Sequence, residues 1–171
     1  MQLFSLLFWK RETEVFGGIV PKLLEVLIVD KFAKETGEVW FVPVGKFSAW
    51  DGSSQSRRHS VEVKLDTIAA SSFRLCLEYL SSGKPSGLAV TQATRWCSCV
   101  PIDASRICVY EFDTDKLRDA MRAMPLHRGC ENGKNQFKFL WLQDADILCT
   151  RKFEIVIPWN EIKPTWERAA S

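Results

Sequence analysis

The run Val61-Glu62-Val63-Lys64-Leu65-Asp66 decides how this chain is read. Apolar and polar residues alternate through it, so an extended strand puts Val61, Val63 and Leu65 on one face and Glu62, Lys64 and Asp66 on the other. The apolar row needs a core, with Val63 as its anchor. The polar row sets a carboxylate and an ammonium two residues apart on one face. Upstream, residues 51–60 are polar (Asp51-Gly52-Ser53-Ser54-Gln55-Ser56-Arg57-Arg58-His59-Ser60) and read as a loop. Before that loop, residues 38–44 and 46–50 are short Val-, Phe- and Trp-rich extended runs broken by Pro43 and Gly45.

Farther upstream, residues 19–34 carry Val20, Leu23, Leu24, Leu27, Ile28 and Phe32 at helical spacing, with Pro21 suited to a first turn and Gly37 to a stop. Val26 and Val29 make this helix apolar around most of its circumference, which predicts coverage on more than one side. Downstream, Phe73, Leu75, Leu77 and Tyr79 alternate as a second strand, and residues 81–87 read as a turn. Strand-like patterns follow at residues 88–91, 96–100 and 107–112. Thr114 is placed to cap a helix with Leu117, Met121 and Met124 on its apolar face, Lys116, Arg118 and Arg122 on the other, and Pro125 at its end. Residues 127–138 read as loop, and 139–157 mix strand-like runs with an acidic stretch around Asp144 and Asp146. The expected class is α/β, a mixed central sheet flanked by helices.

With 171 residues, 46% of them hydrophobic, the chain has the size and composition of one domain with a substantial core. A formal net charge of +2 means that a polyanionic partner has to be held by a local basic patch. The six cysteines read as reduced, because no export signal is apparent, and Cys97 and Cys99 lack the Cys-x-x-Cys spacing of a zinc site. The apolar residues 1–9 are too short to span a bilayer and read as a packed strand or helix, with a membrane-surface anchor as the lesser alternative. The expectation is a cytoplasmic protein with no membrane partner. The tryptophans are able to stack bases, but buried packing is the expected use of most of them, and His127 and Cys130 are assigned no chemistry.

A hard cation such as Mg²⁺ takes oxygen ligands, commonly one or two carboxylates completed by water and substrate phosphate. Asp51 and Glu62 supply such ligands if their segments pair as a hairpin, because opposed strand residues have Cβ atoms only about 4.5–5.5 Å apart. The Val63 carbonyl is a third candidate oxygen. Lys64 is suited to orient the attacking water or to stabilise charge in the transition state. Asp66, farther along the same face, and Glu78, on the next strand, are accessory candidates. The competing plain reading is a solvated strand face with an ordinary ion pair.

Asp51 followed by Glu62-Val63-Lys64 resembles the PD-(D/E)xK nuclease superfamily. The longer run of Val61 to Asp66, Leu77-Glu78-Tyr79, Gly83-Lys84-Pro85-Ser86-Gly87-Leu88 and Thr91-Gln92-Ala93 is similar to small phage- and prophage-type nuclease-like proteins within it, a group related to restriction endonucleases and Holliday-junction resolvases. The resemblance covers about residues 13–112 and leaves 113–171 as a C-terminal helix and strand-containing extension. It implies a restriction-endonuclease-like sheet, a Mg²⁺ or Mn²⁺ cofactor, and DNA as the substrate of a phosphodiester-cleaving endonuclease. It also implies a homodimer in some members, and host cytoplasm for a phage-encoded chain. A glutamate of the first helix adds a ligand in some members, for which Glu25 is the nearest candidate. Arg57, Arg58 and Lys84 are the candidate phosphate contacts. The chain departs from the pattern at Ala70-Ser71-Ser72, where Thr-Gly-Asn is expected, and at Thr94, where Asp is expected. Those departures define an alternative: a non-catalytic nucleic-acid-binding or interaction module on a degenerate nuclease fold.

Overall fold

The computed structural model describes residues 19–43, 49–128 and 134–159. The expectations for residues 1–9, 44, 46–48 and 160–171, and for Cys130, lie outside them. Helix α1 (Ile19–Thr36) forms where the apolar spacing predicts it. It buries Val20, Leu24, Ile28, Val29 and Phe32, whereas Val26 is exposed, so it is covered mainly along one side. Its exposed turns carry the ion pairs Lys31–Glu35 and Lys34–Asp30, each four residues apart.

The helix lies on a six-stranded mixed sheet in the order β1 (Trp40–Phe41), β2 (Gly52–Ser54), β3 (Ser60–Leu65), β6 (Arg95–Pro101), β7 (Arg106–Asp113) and β10 (Arg151–Val156). Only β3 and β6 run parallel; the other pairs in this sheet are antiparallel. Strand β2 lies inside the stretch that reads as a loop. Gly-Ser-Ser has no apolar alternation, yet all three residues are buried between β1 and β3. Gly52 is required at its position, since a Cβ there would overlap the Val29 Cγ2 methyl of α1 and lie 3.2 Å from Val61 Cγ1. The missing side chain lets the helix seat directly on the sheet.

The chain between β3 and β6 does not cross as a long helix. It contains the one-turn α2 (Ala69–Ser72), β4 (Arg74–Ser81), β5 (Lys84–Pro85) and a 3₁₀ turn (Gly87–Ala89), which occupies part of the run that reads as a strand at residues 88–91. Ser82 and Gly83, with φ of 51° and 78°, make the two-residue turn between β4 and β5, a conformation that favours the glycine. Strand β4 joins a second, antiparallel sheet in the order β5, β4, β9 (Gln136–Trp141), β8 (His127–Arg128). This sheet, together with α3 (Thr114–Met121) and α4 (Leu142–Leu148), covers the other face of the first sheet. The mixed sheet with its helices is the α/β arrangement expected from sequence, and the second sheet adds a layer to it.

Two cores result. One packs α1 against Val61, Val63, Cys97, Cys99, Ile107, Val109 and Ile155. The other sets Trp96, Tyr110 and Phe112 of the first sheet against Leu75, Leu77 and Leu140 of the second and Leu117 and Met121 of α3. Each fully buried large apolar side chain contributes roughly 1.5–3 kcal/mol of transfer free energy. Residues beyond 112 thus provide β9, the edge strand β10 and part of a core. The cap of α3 is Asp113, whose carboxylate accepts from Lys116 N, and Thr114 is the first helical residue. Met124 lies past the end of α3 and is exposed. The cysteines Cys76, Cys97, Cys99, Cys108 and Cys149 are free thiols.

Candidate functional site

The β2–β3 hairpin determines the site. Its register pairs Gly52 with Val61 and Ser53 with Ser60, so the next position sets Asp51 opposite Glu62. Asp51 N donates to Val61 O at 2.8 Å, and its side-chain Oδ2 accepts from Val63 N at 2.8 Å. N–H and C=O of one strand residue point to the same side, so the Val63 carbonyl also faces the Asp51 side. The Val63 side chain is buried against α1, as its place in the alternation requires.

Glu62 is only 8% exposed and points away from α1. Its Oε1 lies 2.5 Å from Lys64 Nζ, and its Oε2 accepts from Thr91 Oγ1 at 3.0 Å. Burial pushes the Glu62 pKa up; the Lys64 ammonium opposes that and the Asp51 carboxylate adds to it, with a net rise. Burial works against charge on Lys64, but Glu62, Asp51 and Glu78 outweigh it, and its pKa is held above the ordinary value. The base is therefore firmly charged, while the acid beside it is harder to ionise than usual.

The accessory candidates divide. Glu25 is half-buried, ion-paired with Lys22 at 2.5 Å, and has a pKa raised by burial, with Lys22 opposing and Asp51 reinforcing the rise. It therefore faces the same negative neighbourhood. Glu78 accepts from Ser86 Oγ at 2.5 Å and acts electrostatically on Lys64. Asp66 departs from the ligand-face expectation because the strand ends at Leu65 and its carboxylate turns onto the backbone. Oδ1 accepts from Ile68 N and Ala69 N at 3.2 and 3.0 Å, and Oδ2 accepts from Cys76 N at 2.6 Å. Both oxygens are engaged in joining β3, α2 and β4.

Arg57 and Arg58 are exposed in the turn of the hairpin, and Lys84 is exposed on β5. The hairpin register puts that turn about 10 Å or more from the Asp51–Glu62 pair at 3.4 Å per residue. A cleft of about 390 Å³ lies toward the same end, lined by His59, Thr94, Arg95, Glu111 and Arg151 among others. Its arginines are committed to a partly buried network: Arg95 and Arg151 both bind Glu111, and Arg151 reaches Glu35 at 2.7 Å. The cleft is separate from the carboxylate pair.

Two positioning residues escape a local reading of the sequence. Thr91 touches Glu62 from 29 residues away. Arg118 of α3 donates through Nε to Leu88 O at 2.9 Å and through Nη2 to Thr91 O, clamping the segment that holds Thr91. The departures from the family pattern have structural uses. Thr94 Oγ1 donates to Ser60 O and accepts from Ser60 N, both at 3.0 Å, a dual role that an ionised Asp does not fill. Ser71 Oγ donates to Ile68 O, and Ser72 Oγ donates to Arg74 O, closing the short helix.

Among the described residues no group of three or more His, Cys, Asp or Glu side chains is gathered so as to hold a metal ion by itself. The donor chemistry nevertheless suits a hard cation: two opposed carboxylates and a nearby carbonyl, with mutual repulsion that positive charge relieves. In the arrangement described, Lys64 supplies that charge to Glu62. No helix among the described residues is long and apolar enough to cross a membrane. Compared with known proteins, the chain matches no family model, no curated protein and no solved structure.

Proposed function

We propose that the chain is a metal-dependent endonuclease that hydrolyses DNA phosphodiester bonds, a restriction-endonuclease-like enzyme of the PD-(D/E)xK kind. The observation that supports this most is the strand register that sets Asp51 opposite Glu62 with Lys64 Nζ 2.5 Å from the Glu62 carboxylate. Asp51, Glu62 and the Val63 carbonyl are the residues that would hold Mg²⁺ or Mn²⁺. When bound, the ion supplies Lewis acidity toward the phosphodiester and lowers the pKa of a water. Glu62 must be ionised to take part, which Thr91 favours by donating to its Oε2. Lys64, kept charged by its acidic neighbours, exchanges its contact with Glu62 for substrate and stabilises negative charge developing on the phosphate.

The test is cleavage of duplex, single-stranded and branched DNA with Mg²⁺ or Mn²⁺. Glu62→Ala and Lys64→Ala are each expected to lose at least a hundredfold in rate while keeping the wild-type circular dichroism. Unchanged cleavage by both variants would sink the proposal. One observation favours a second reading: Lys64 and Thr91 engage both oxygens of Glu62 within the chain. On that reading the chain is a non-catalytic nucleic-acid-binding module, and it shows salt-sensitive DNA binding with no metal-dependent turnover.

A further inference from the structure

The outer face of the second sheet combines rings and unpaired cations. Directly opposed residues share a face, so Arg74 and Trp141, Cys76 and Phe139, and Glu78 and Phe137 all lie on one side, with His127 beside Phe137. The alternate residues Leu75, Leu77, Lys138 and Leu140 are buried on the other side. On the outer side Trp141 is 50% exposed, His127 is exposed, and Phe137 and Phe139 are half-buried. The Arg74 guanidinium lies 4.7 Å from the Phe139 ring centroid and 5.4 Å from that of Trp141. Among the described residues Arg74 has no carboxylate partner, and its Nε is buried without a hydrogen bond. Lys84 on the flanking strand β5 is exposed and forms no ion pair among the described residues, whereas Arg128, opposite Gln136, belongs to the other side.

This face adjoins the proposed catalytic centre at β4, where Cys76 N donates to Asp66 Oδ2 at 2.6 Å, two residues along the chain from Lys64. Ring spacing helps to identify an occupant. Same-face residues on a strand are about 7 Å apart, about twice the 3.4 Å base step of a stacked DNA strand. Phe137, Phe139 and Trp141 therefore suit splayed bases, and a duplex hides its base faces from such a row. We propose that this face is a platform for single-stranded DNA, with bases against Trp141, Phe139 and Phe137 and phosphates against Arg74 and Lys84. It leads the strand to Lys64, and in that respect it rests on the nuclease reading and gives its substrate class.

The experiment is fluorescence anisotropy of a labelled oligothymidylate, a duplex of equal length and an oligouridylate, all in EDTA so that binding is read apart from cleavage. The single DNA strand is expected to bind at least tenfold tighter than the duplex. Trp141→Ala is expected to weaken it about tenfold, the loss of one stacked base. Trp141 precedes α4 without a side-chain capping bond, so its replacement spares the fold. Arg74→Ala is expected to lower the salt slope by about one. Equal affinity for duplex, or unchanged binding by Trp141→Ala, would overturn the platform. Tighter binding of the RNA strand would overturn its assignment to DNA, and a dimer that Trp141→Ala dissociates would assign the face to a second copy. Metal-dependent cleavage with unchanged Trp141→Ala binding defeats the platform alone. Weakened Trp141→Ala binding without cleavage under either metal defeats the nuclease reading alone.

Discussion

Replacing Asp66 by Ala separates a structural carboxylate from a catalytic one. Its Oδ1 caps Ile68 N and Ala69 N, a loss comparable to an N-cap at about 1 kcal/mol. Its Oδ2 bonds Cys76 N, and a hydrogen bond to a charged acceptor contributes about 1.5–3 kcal/mol. Burial raises the pKa of Asp66 despite the three backbone bonds that lower it, so the carboxylate already bears a desolvation penalty that the variant relieves. The expected net loss is therefore toward the low end, about 2–3 kcal/mol. For a chain of this size that is a fall of about 4–12 °C in Tm. Linkage fixes the sign with pH. A raised folded pKa means that the folded chain holds this proton more tightly than the unfolded one, so the contribution of Asp66 is full below its ordinary value of 3.8 and declines as pH rises through the folded value. The gap between wild type and variant should thus narrow from acid toward neutral pH. Urea denaturation followed by circular dichroism gives the stability, and cleavage measured well below both melting temperatures gives the activity. Wild-type stability combined with abolished metal-dependent cleavage would refute the structural assignment and return Asp66 to the ligand set.

Gly52→Ala is expected to cost about 1–3 kcal/mol by forcing α1 off the sheet, and Val29→Ala in the same chain should recover part of it, read as a non-additive double-mutant cycle in urea. Thr91→Val removes a bond that holds the Glu62 pKa down, so the acid limb of the cleavage pH profile should move to higher pH; an unmoved limb would show that Glu62 does not titrate in that limb.

Much of the frame is legible in sequence because alternation and helical spacing report burial directly. Residues 61–65 and the helix from Ile19 follow from that, as does the shared face of Glu62 and Lys64. Strand β2 is illegible because its strand character comes from neighbours on both edges, while Gly-Ser-Ser carries turn chemistry. At residues 87–89 the chain coils into a single 3₁₀ turn, with Gly87 at a φ of 52° and Leu88 buried between sheet and helix, a placement that alternation does not encode. Asp66 extends the polar row by count, yet the strand has ended and backbone donors are nearer than any ligand partner. Thr91 and Arg118 reach the site only through the crossover and α3, which no local spacing expresses.

The pairing of β4 with β9 also bears on biosynthesis. Strand β4 emerges from the ribosome with the crossover, while the strand that covers its long edge is encoded near the end of the chain. At roughly 5–20 residues per second of translation, Leu75, Leu77 and Leu80 wait for seconds beside an open row of backbone donors and acceptors. The nascent protein is then at its stickiest, and a message cut short between those two strands would yield a chain inclined to pair with its own kind.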